Sequence, residues 1–117
     1  MYNKIVLLGN VTKDAELRCL PGGGKVANTG IATNRHYKDG NGNTRQETMF
    51  IDVVGYGAMA EIIKKFAAKG SFVMLEGHLT LEQWTNKSGD RRSRHVVTVE
   101  VFRKINLTAA AKAETVN

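Results

Sequence analysis

Short apolar runs, separated by turn signals, predict a chain built mainly of β-strands. Residues 4–11 form a dense apolar run suited to a buried strand, and Pro-Gly-Gly-Gly at 21–24 turns the chain into a second run at 26–37. These two runs are expected to pair. Asp-Gly-Asn-Gly-Asn at 39–43 is the strongest turn signal, and it separates the second run from a third at 48–56. A long hairpin is therefore predicted.

One helix is predicted, over residues 58–69. Its apolar residues recur at spacings of three and four, which places them on one face: Met59, Ile62, Ile63 and Phe66. Glu61 near the start and lysines near the end suit the helix macrodipole, and Gly70 is expected to cap the C-terminus. The pattern predicts a short helix that packs on the core.

Two further strands follow the helix, at 72–84 and 94–105, joined by a turn at 86–90. Gly77 inside the fourth strand indicates a bulge or bend that lets a sheet curl. Five strands with a helix between strands 3 and 4 predict an all-β fold, a five-stranded Greek-key barrel of the OB type. An SH3-like barrel is the alternative, and the placement of the helix favours the OB barrel.

The chain of 117 residues has room for one domain. We expect that domain to cover residues 1–107, followed by a short flexible C-terminal tail at 108–117. The apolar run at 5–8 is too short for a signal peptide or a membrane span, and a single Cys19 fits a reducing compartment. A cytoplasmic, membrane-free location is expected. The net charge of +6 favours a polyanionic partner such as nucleic acid, although charge alone does not choose one.

Four aromatic residues mark the candidate binding surface: Tyr37, Phe50, Tyr56 and Trp84. Phe50 and Tyr56 are six residues apart on one strand, so they share a face, while Ile51, Val53 and Gly55 face the core. From this strand alone, base stacking and core packing are equally good interpretations. Trp84 has polar neighbours, which favours binding over the alternative of a lid on the barrel end.

Basic residues flank the same positions. Arg35 and Lys38 stand beside Tyr37, and Arg45 lies on the return strand of the hairpin. A second group follows Trp84 and consists of Lys87, Arg91, Arg92 and Arg94. Aromatic residues interleaved with cations predict nucleic-acid binding by stacking and by backbone contacts.

Other chemistries have little support in the sequence. The three histidines and Cys19 share no metal-ligand spacing, and no Ser, His and acidic residue indicate a nucleophilic triad. We therefore expect a protein that is not an enzyme and that carries no metal and no cofactor.

Over roughly residues 3–105 the chain resembles the bacterial single-stranded DNA-binding protein family. The resemblance rests on the order and spacing of several stretches: Asn-Lys-Ile-Val-Leu-Leu-Gly-Asn at 3–10, the turn at 17–21 with its glycines, Val-Ala-Asn at 26–28 leading to Ala32-Thr33, Leu-Glu-Gly at 75–77, and Trp84-Thr85 followed by Ser88-Gly89. It implies sequence-independent binding and protection of single-stranded DNA in replication, recombination and repair, by a nucleoid-associated homotetramer.

The resemblance also implies roles for single residues. The base-stacking positions of the family fall on the four aromatic residues named above, and its basic contacts map to Lys4, Arg45, Lys69 and Arg92. Asp52 and the pair Glu82-Gln83 depart from the pattern, because relatives often carry basic residues there. The affinity or the path of the strand is therefore expected to differ.

The end of the sequence departs further. Family members usually continue through a flexible linker to an acidic tip that recruits replication and repair proteins, whereas this sequence stops at Glu-Thr-Val-Asn. The usual acidic tip is absent from this sequence, which is expected to be either truncated or a plasmid, phage or accessory form, so replication and repair proteins stay open as partners. Two alternatives stay open: an accessory OB-fold replication-restart protein that acts mainly through protein partners, and an RNA-binding regulator of the cold-shock kind, whose aromatic motifs are absent from this chain.

Overall fold

The computed structural model describes residues 1–106, which form six strands and one helix. The elements are β1 (Ile5–Val11), β2 (Glu16–Cys19), β3 (Lys25–Lys38), β4 (Thr44–Tyr56), α1 (Ala58–Phe66), β5 (Phe72–Thr85) and β6 (Arg91–Lys104). The short β2 was not predicted, so predicted strands 1 to 5 correspond to β1, β3, β4, β5 and β6. The tail predicted at 108–117 lies outside the described residues.

Five of the strands close into a barrel, which confirms the OB-type prediction. The sheet order is β1-β5-β6-β4-β3, and β1 pairs again with β3 through Asn10 opposite Ala32 and Val11 opposite Ile31. The β4–β6 pairing is parallel and the others are antiparallel. In the chain, β2 and the glycine turn at 21–24 lie between β1 and β3. The predicted pairing of β1 with β3 is therefore present only as this short contact that closes the barrel.

Inward-facing side chains of the barrel and of α1 form one apolar core. Ile31, Val53, Leu75 and Val97 are fully buried, and Ile63 of α1 joins them. The helix therefore covers one end of the barrel. In the described part of the chain, no helix is long and apolar enough to cross a membrane.

The bend predicted at Gly77 is present. The register of β5 against β6 shifts between Glu76 and Gly77, which pair with Val101 and Val99. A Cβ at Gly77 would collide with the carbonyl oxygen of Thr98. The missing side chain thus lets the two backbones approach where the sheet curls.

The helix ends one turn earlier than predicted, at Phe66 and not at residue 69. Ala67 is the C-cap, and its N–H still donates to the carbonyl of Ile63 at 2.8 Å. The N–H of Gly70 donates to the carbonyl of Val11 at 2.8 Å instead of capping the helix. Pairing with the end of β1 therefore overrides the helical propensity of these residues.

Two hairpins carry their strands past the end of the core. The β3–β4 pairing continues to Lys38 opposite Thr44, and the β5–β6 pairing continues to Thr85 opposite Arg91. Residues toward both tips are mostly exposed. The hairpins therefore carry the predicted aromatic and basic residues beyond the barrel.

Candidate nucleic-acid interface

All four predicted aromatic residues are exposed, Tyr37 to 39%. Phe50 is 71% exposed, Tyr56 51% and Trp84 47%, and none belongs to an apolar core cluster. Val53, which alternates with Phe50 and Tyr56, is fully buried. The alternatives of core packing on β4 and of a Trp84 lid over the core are therefore wrong.

The face that carries these rings extends across β4, β6 and β5. Val54, between Phe50 and Tyr56 on β4, packs with Val26 and Val96 into a small buried cluster outside the main core. These three valines form a packed apolar layer beneath the exposed side chains of the outer face. We call the surface that carries Phe50, Tyr56 and Trp84 the aromatic face.

Tyr37 lies on the other side of the β3–β4 hairpin. Ala32 stands opposite Phe50 in the register, and Tyr37 comes five residues later opposite Arg45. Because side chains alternate along a strand, Tyr37 and Phe50 point to opposite faces. The guanidinium of Arg35 lies over the Tyr37 ring, 4.9 Å from its centroid. One protomer thus presents three rings together and a fourth apart.

Arg94 joins the strands of the aromatic face. It lies on β6, between β5 and β4 in the sheet. Its Nη1 donates to Asp52 Oδ2 on β4 at 2.7 Å, and its Nε donates to Glu82 Oε1 on β5 at 2.8 Å. Lys13 Nζ lies 3.6 Å from the other oxygen of Asp52. We call these four side chains the Arg94 network.

The Arg94 network adjoins Trp84. The Arg94 guanidinium carbon is 5.9 Å from the centre of the Trp84 ring, within the range of a cation–π contact. The two residues also line an open groove of about 660 Å³, together with Arg18, Glu82 and Gln83. A second hollow, of about 160 Å³, lies beside Phe50 and Asp52. Flat ring-sized ligands therefore have room next to both aromatic side chains.

The other predicted basic residues divide by whether they form ion pairs within residues 1–106. Arg35 lies 3.8 Å from Glu47, and Arg45 Nε donates to Asp39 Oδ2 at 2.9 Å. No ion pair forms in this part of the chain for four of them, namely Lys38, Lys87, Arg91 and Arg92. The two hairpins therefore carry most of the positive charge that is left uncompensated near the aromatic residues.

Lys4 and Lys69 lie apart from this group. Lys4 Nζ is 3.8 Å from Glu76 on the β1–β5 side of the barrel. Lys69 follows α1, and its backbone N–H donates to Asp14 Oδ1 at 2.8 Å. Within one protomer, these two predicted basic residues are therefore not part of the Arg94 network.

The Arg45 ion pair also alters an acid at the hairpin tip. The hydrogen bond from Arg45 lowers the pKa of Asp39, and the backbone N–H of Asn43 lowers that pKa further. Asp39 therefore keeps its negative charge to lower pH than an ordinary aspartate, and it neutralises Arg45 over that range.

Sequence reasoning did not predict the Arg94 network. One signal was available, because the five-residue turn at 86–90 places Thr85 opposite Arg91 and hence Glu82 opposite Arg94. The bond from Arg94 to Asp52 spans 42 positions in sequence and depends on the parallel β4–β6 pairing. No local pattern encodes that contact.

The described part of the chain contains no cluster of side chains that could bind a metal ion. Among residues 1–106, no three His, Cys, Asp or Glu side chains come together as a metal site would require.

Comparison with known proteins gives similar sequences. The single-stranded DNA-binding protein of Wolinella succinogenes is 46% identical over 112 residues, which are 96% of this chain and 69% of that protein. That of Helicobacter hepaticus is 43% identical over 106 residues, covering 91% and 62%. That of Helicobacter pylori is 40% identical over 100 residues, covering 86% and 56%. The chain thus spans between about half and two thirds of the length of these relatives.

Solved structures agree in fold. The SSB of Plasmodium falciparum, in complex with ssDNA, superposes with a TM-score of 0.82 at 25% identity, covering 91% of this chain and 97% of that one. A deletion mutant of the single-stranded DNA binding protein from Thermus aquaticus gives a TM-score of 0.79 at 27% identity, covering 90% and 51%. The model of the Single-strand binding protein family matches residues 2–106. With that match and these relatives, the chain belongs to the Single-strand binding protein family.

Proposed function

We propose that this protein binds single-stranded DNA without sequence preference, stacking bases on Phe50, Tyr56 and Trp84. The observation that carries the proposal is the exposure of all three rings on one face, flanked by cationic hairpins. Relatives named as single-stranded DNA-binding proteins and a similar fold in complex with ssDNA support the same function.

Stacking suits a ligand without a defined sequence. Every base has a π face, and each stacked base contributes about 1–3 kcal/mol. Paired bases in a duplex cannot reach the rings, so duplex DNA binds less well. The groove beside Trp84 and the hollow beside Phe50 give unpaired bases room to lie on the rings.

The backbone is held by cations along the hairpins. Lys38, Lys87, Arg91 and Arg92 are the first candidates, because none of them forms an ion pair within residues 1–106. Lys69 forms no ion pair within residues 1–106 and is a further candidate, whereas Lys4, Arg35 and Arg45 contribute when a phosphate replaces their acidic partners. Each phosphate contact makes the slope of log affinity against log salt steeper by about 0.7.

The working form is a homotetramer. Val6 and Leu8, two apolar residues that share one face of β1, are 59% and 53% exposed. A second copy that covers β1 would bury them. Tyr37 lies on the face of the β3–β4 hairpin opposite to Phe50. In a tetramer, one DNA strand could pass from the aromatic face of one protomer to the Tyr37 of another.

In the cell, this binder coats transiently exposed strands during replication, recombination and repair in the bacterial cytoplasm, at the nucleoid. It performs no reaction, and it works beside replication and repair proteins. Membership of the Single-strand binding protein family supports this proposed role.

The test is direct binding of a fluorescently labelled oligo(dT) strand to four proteins: the wild type and the Phe50→Ala, Trp84→Ala and Tyr2→Ala variants. Loss of a stacking ring is expected to weaken binding by about five- to 150-fold, the equivalent of 1–3 kcal/mol. Tyr2 is the control, since it is an aromatic residue with 91% exposure that precedes β1 and belongs to none of the three strands of the aromatic face.

The control variant is expected to bind like the wild type. Equal weakening in all three variants, or wild-type binding of duplex as tight as that of single strand, would contradict the stacking proposal.

A further inference from the structure

Arg94 differs from the other basic residues near the rings, because two donor atoms of its guanidinium bind carboxylates on two different strands. Nη1 binds Asp52 on one neighbouring strand and Nε binds Glu82 on the other, at 2.7 and 2.8 Å. An arginine fork is well suited to hold two carboxylates at fixed angles. The guanidinium is therefore held between the two neighbouring strands.

The charges of the Arg94 network cancel. Lys13 and Arg94 bring two positive charges, and Asp52 and Glu82 bring two negative ones. A phosphate could reach the remaining N–H groups of Arg94 only beside Asp52 and Glu82, and both carboxylates would repel it. The Arg94 network itself thus offers the DNA backbone no net attraction.

The geometry points to Arg94 as a positioning residue for Trp84 and not as a phosphate ligand. Held from both sides, its guanidinium lies 5.9 Å from the centre of the Trp84 ring and restricts where that ring can rest. Asp52 and Glu82 keep the strip between the rings neutral, so bases lie across it and the backbone runs along the cationic rim. This inference rests on the proposed function and replaces the expectation that Arg94 contacts the backbone.

The test uses a double variant that leaves the net charge unchanged, Arg94→Gln with Glu82→Gln. It removes one positive and one negative charge and retains Lys13 and Asp52 as a pair. The control is Arg92→Gln, on the strand position directly opposite Trp84. Arg92 forms no ion pair within residues 1–106 and is a proposed phosphate contact.

Two readouts are needed. The first is the slope of log affinity for oligo(dT) against log salt, which is expected to stay at the wild-type value in the double variant and to become shallower by about 0.7 in Arg92→Gln. The second is time-resolved fluorescence anisotropy of Trp84 in the free protein. We expect faster local ring motion in the double variant and no change in Arg92→Gln.

A slope that becomes shallower by about 0.7 in the double variant would show that Arg94 binds phosphate and would overturn the inference. An unchanged local motion of the Trp84 ring would overturn it as well. The anisotropy needs no DNA, so this arm remains informative if the wild type fails to bind oligo(dT), a failure that would instead refute the proposed function.

Discussion

At the scale of single residues, Asp39 and Asn86 build the two hairpin tips in the same way. Asp39 Oδ1 accepts the N–H groups of Asn41 and Asn43, and Asn86 Oδ1 accepts those of Ser88 and Asp90, all within 2.9 to 3.0 Å. An Asx side chain can replace backbone acceptors in a tight turn. Only the aspartate has a second charged oxygen, and that atom holds Arg45.

The Asp39 carboxylate should therefore titrate below the ordinary aspartate pKa, because Arg45 and the turn N–H groups stabilise its charged form. A depressed pKa contributes stability that is present above the ordinary value and is lost as the pH falls through the lowered value. NMR titration of the Asp39 side chain is expected to give the lowered pKa, and Arg45→Met is expected to raise it.

The second hairpin supplies the control. The Ser88 amide donates to the uncharged side chain of Asn86, whereas the Asn41 amide donates to Asp39. Over the pH range in which Asp39 titrates, we therefore expect the chemical shift of the Asn41 amide to change and that of the Ser88 amide to change little. An ordinary pKa for Asp39 in the wild type, or the same pKa in Arg45→Met, would refute the assigned cause.

At the scale of elements, the hydrophobic pattern predicted the long strands, and clusters of glycine, asparagine and aspartate predicted the turns between them. The alternating strands and the glycine-rich turns at 39–43 and 86–90 were predicted because their signals are local. β2 was missed because its four residues are too short a run for alternation to predict a strand, and because the sequence interpretation assigned residues 17–21 to a turn. The helix α1 was predicted three residues too long. The hydrogen bond from Gly70 to Val11, which ends the helix, joins residues far apart in sequence, so no local pattern indicates it.

The closing bend of β5 should depend on Gly77 itself. Gly77→Ala places a methyl group against the backbone carbonyl of Thr98, which cannot rotate away, so β5 and β6 must separate. We expect a loss of about 1–3 kcal/mol in the free energy of unfolding, the usual cost of overpacking. Urea denaturation followed by circular dichroism measures it.

Gly40→Ala is the matched control. A Cβ at Gly40 meets nothing within 4 Å, so this variant is expected to unfold at nearly the wild-type urea concentration. Equal midpoints for the two variants would refute the close approach as the reason for glycine at position 77.

At the scale of the whole molecule, the sequence predicted which residues form the candidate site better than it predicted how they are arranged. Phe50, Tyr56 and Trp84 are exposed aromatic residues, as expected for binding. The separation of Tyr37 from Phe50 depends on the register of β3 against β4, and the bond between Arg94 and Asp52 depends on a parallel pairing distant in sequence. Such arrangements are set by the closure of the barrel.

The proposed homotetramer should depend on the exposed face of β1. Substitution of Val6 and Leu8 by Lys places two like charges where a second copy would bury apolar side chains. Light scattering coupled to size-exclusion chromatography is expected to give a tetramer for the wild type and a smaller species for the variant. A wild-type monomer, or a tetramer in both proteins, would contradict this assignment of the interface.

The measurement that tests the central claim most directly is titration of the intrinsic fluorescence of Trp84, the one tryptophan in the sequence. Long oligo(dT) and a matched duplex are added in turn, at low and at high salt. Stacking on the aromatic face predicts strong quenching by the single strand alone, with a midpoint that moves to higher DNA concentration as salt rises. Tight binding of the single strand with unchanged Trp84 fluorescence, or equal quenching by the duplex, would contradict it.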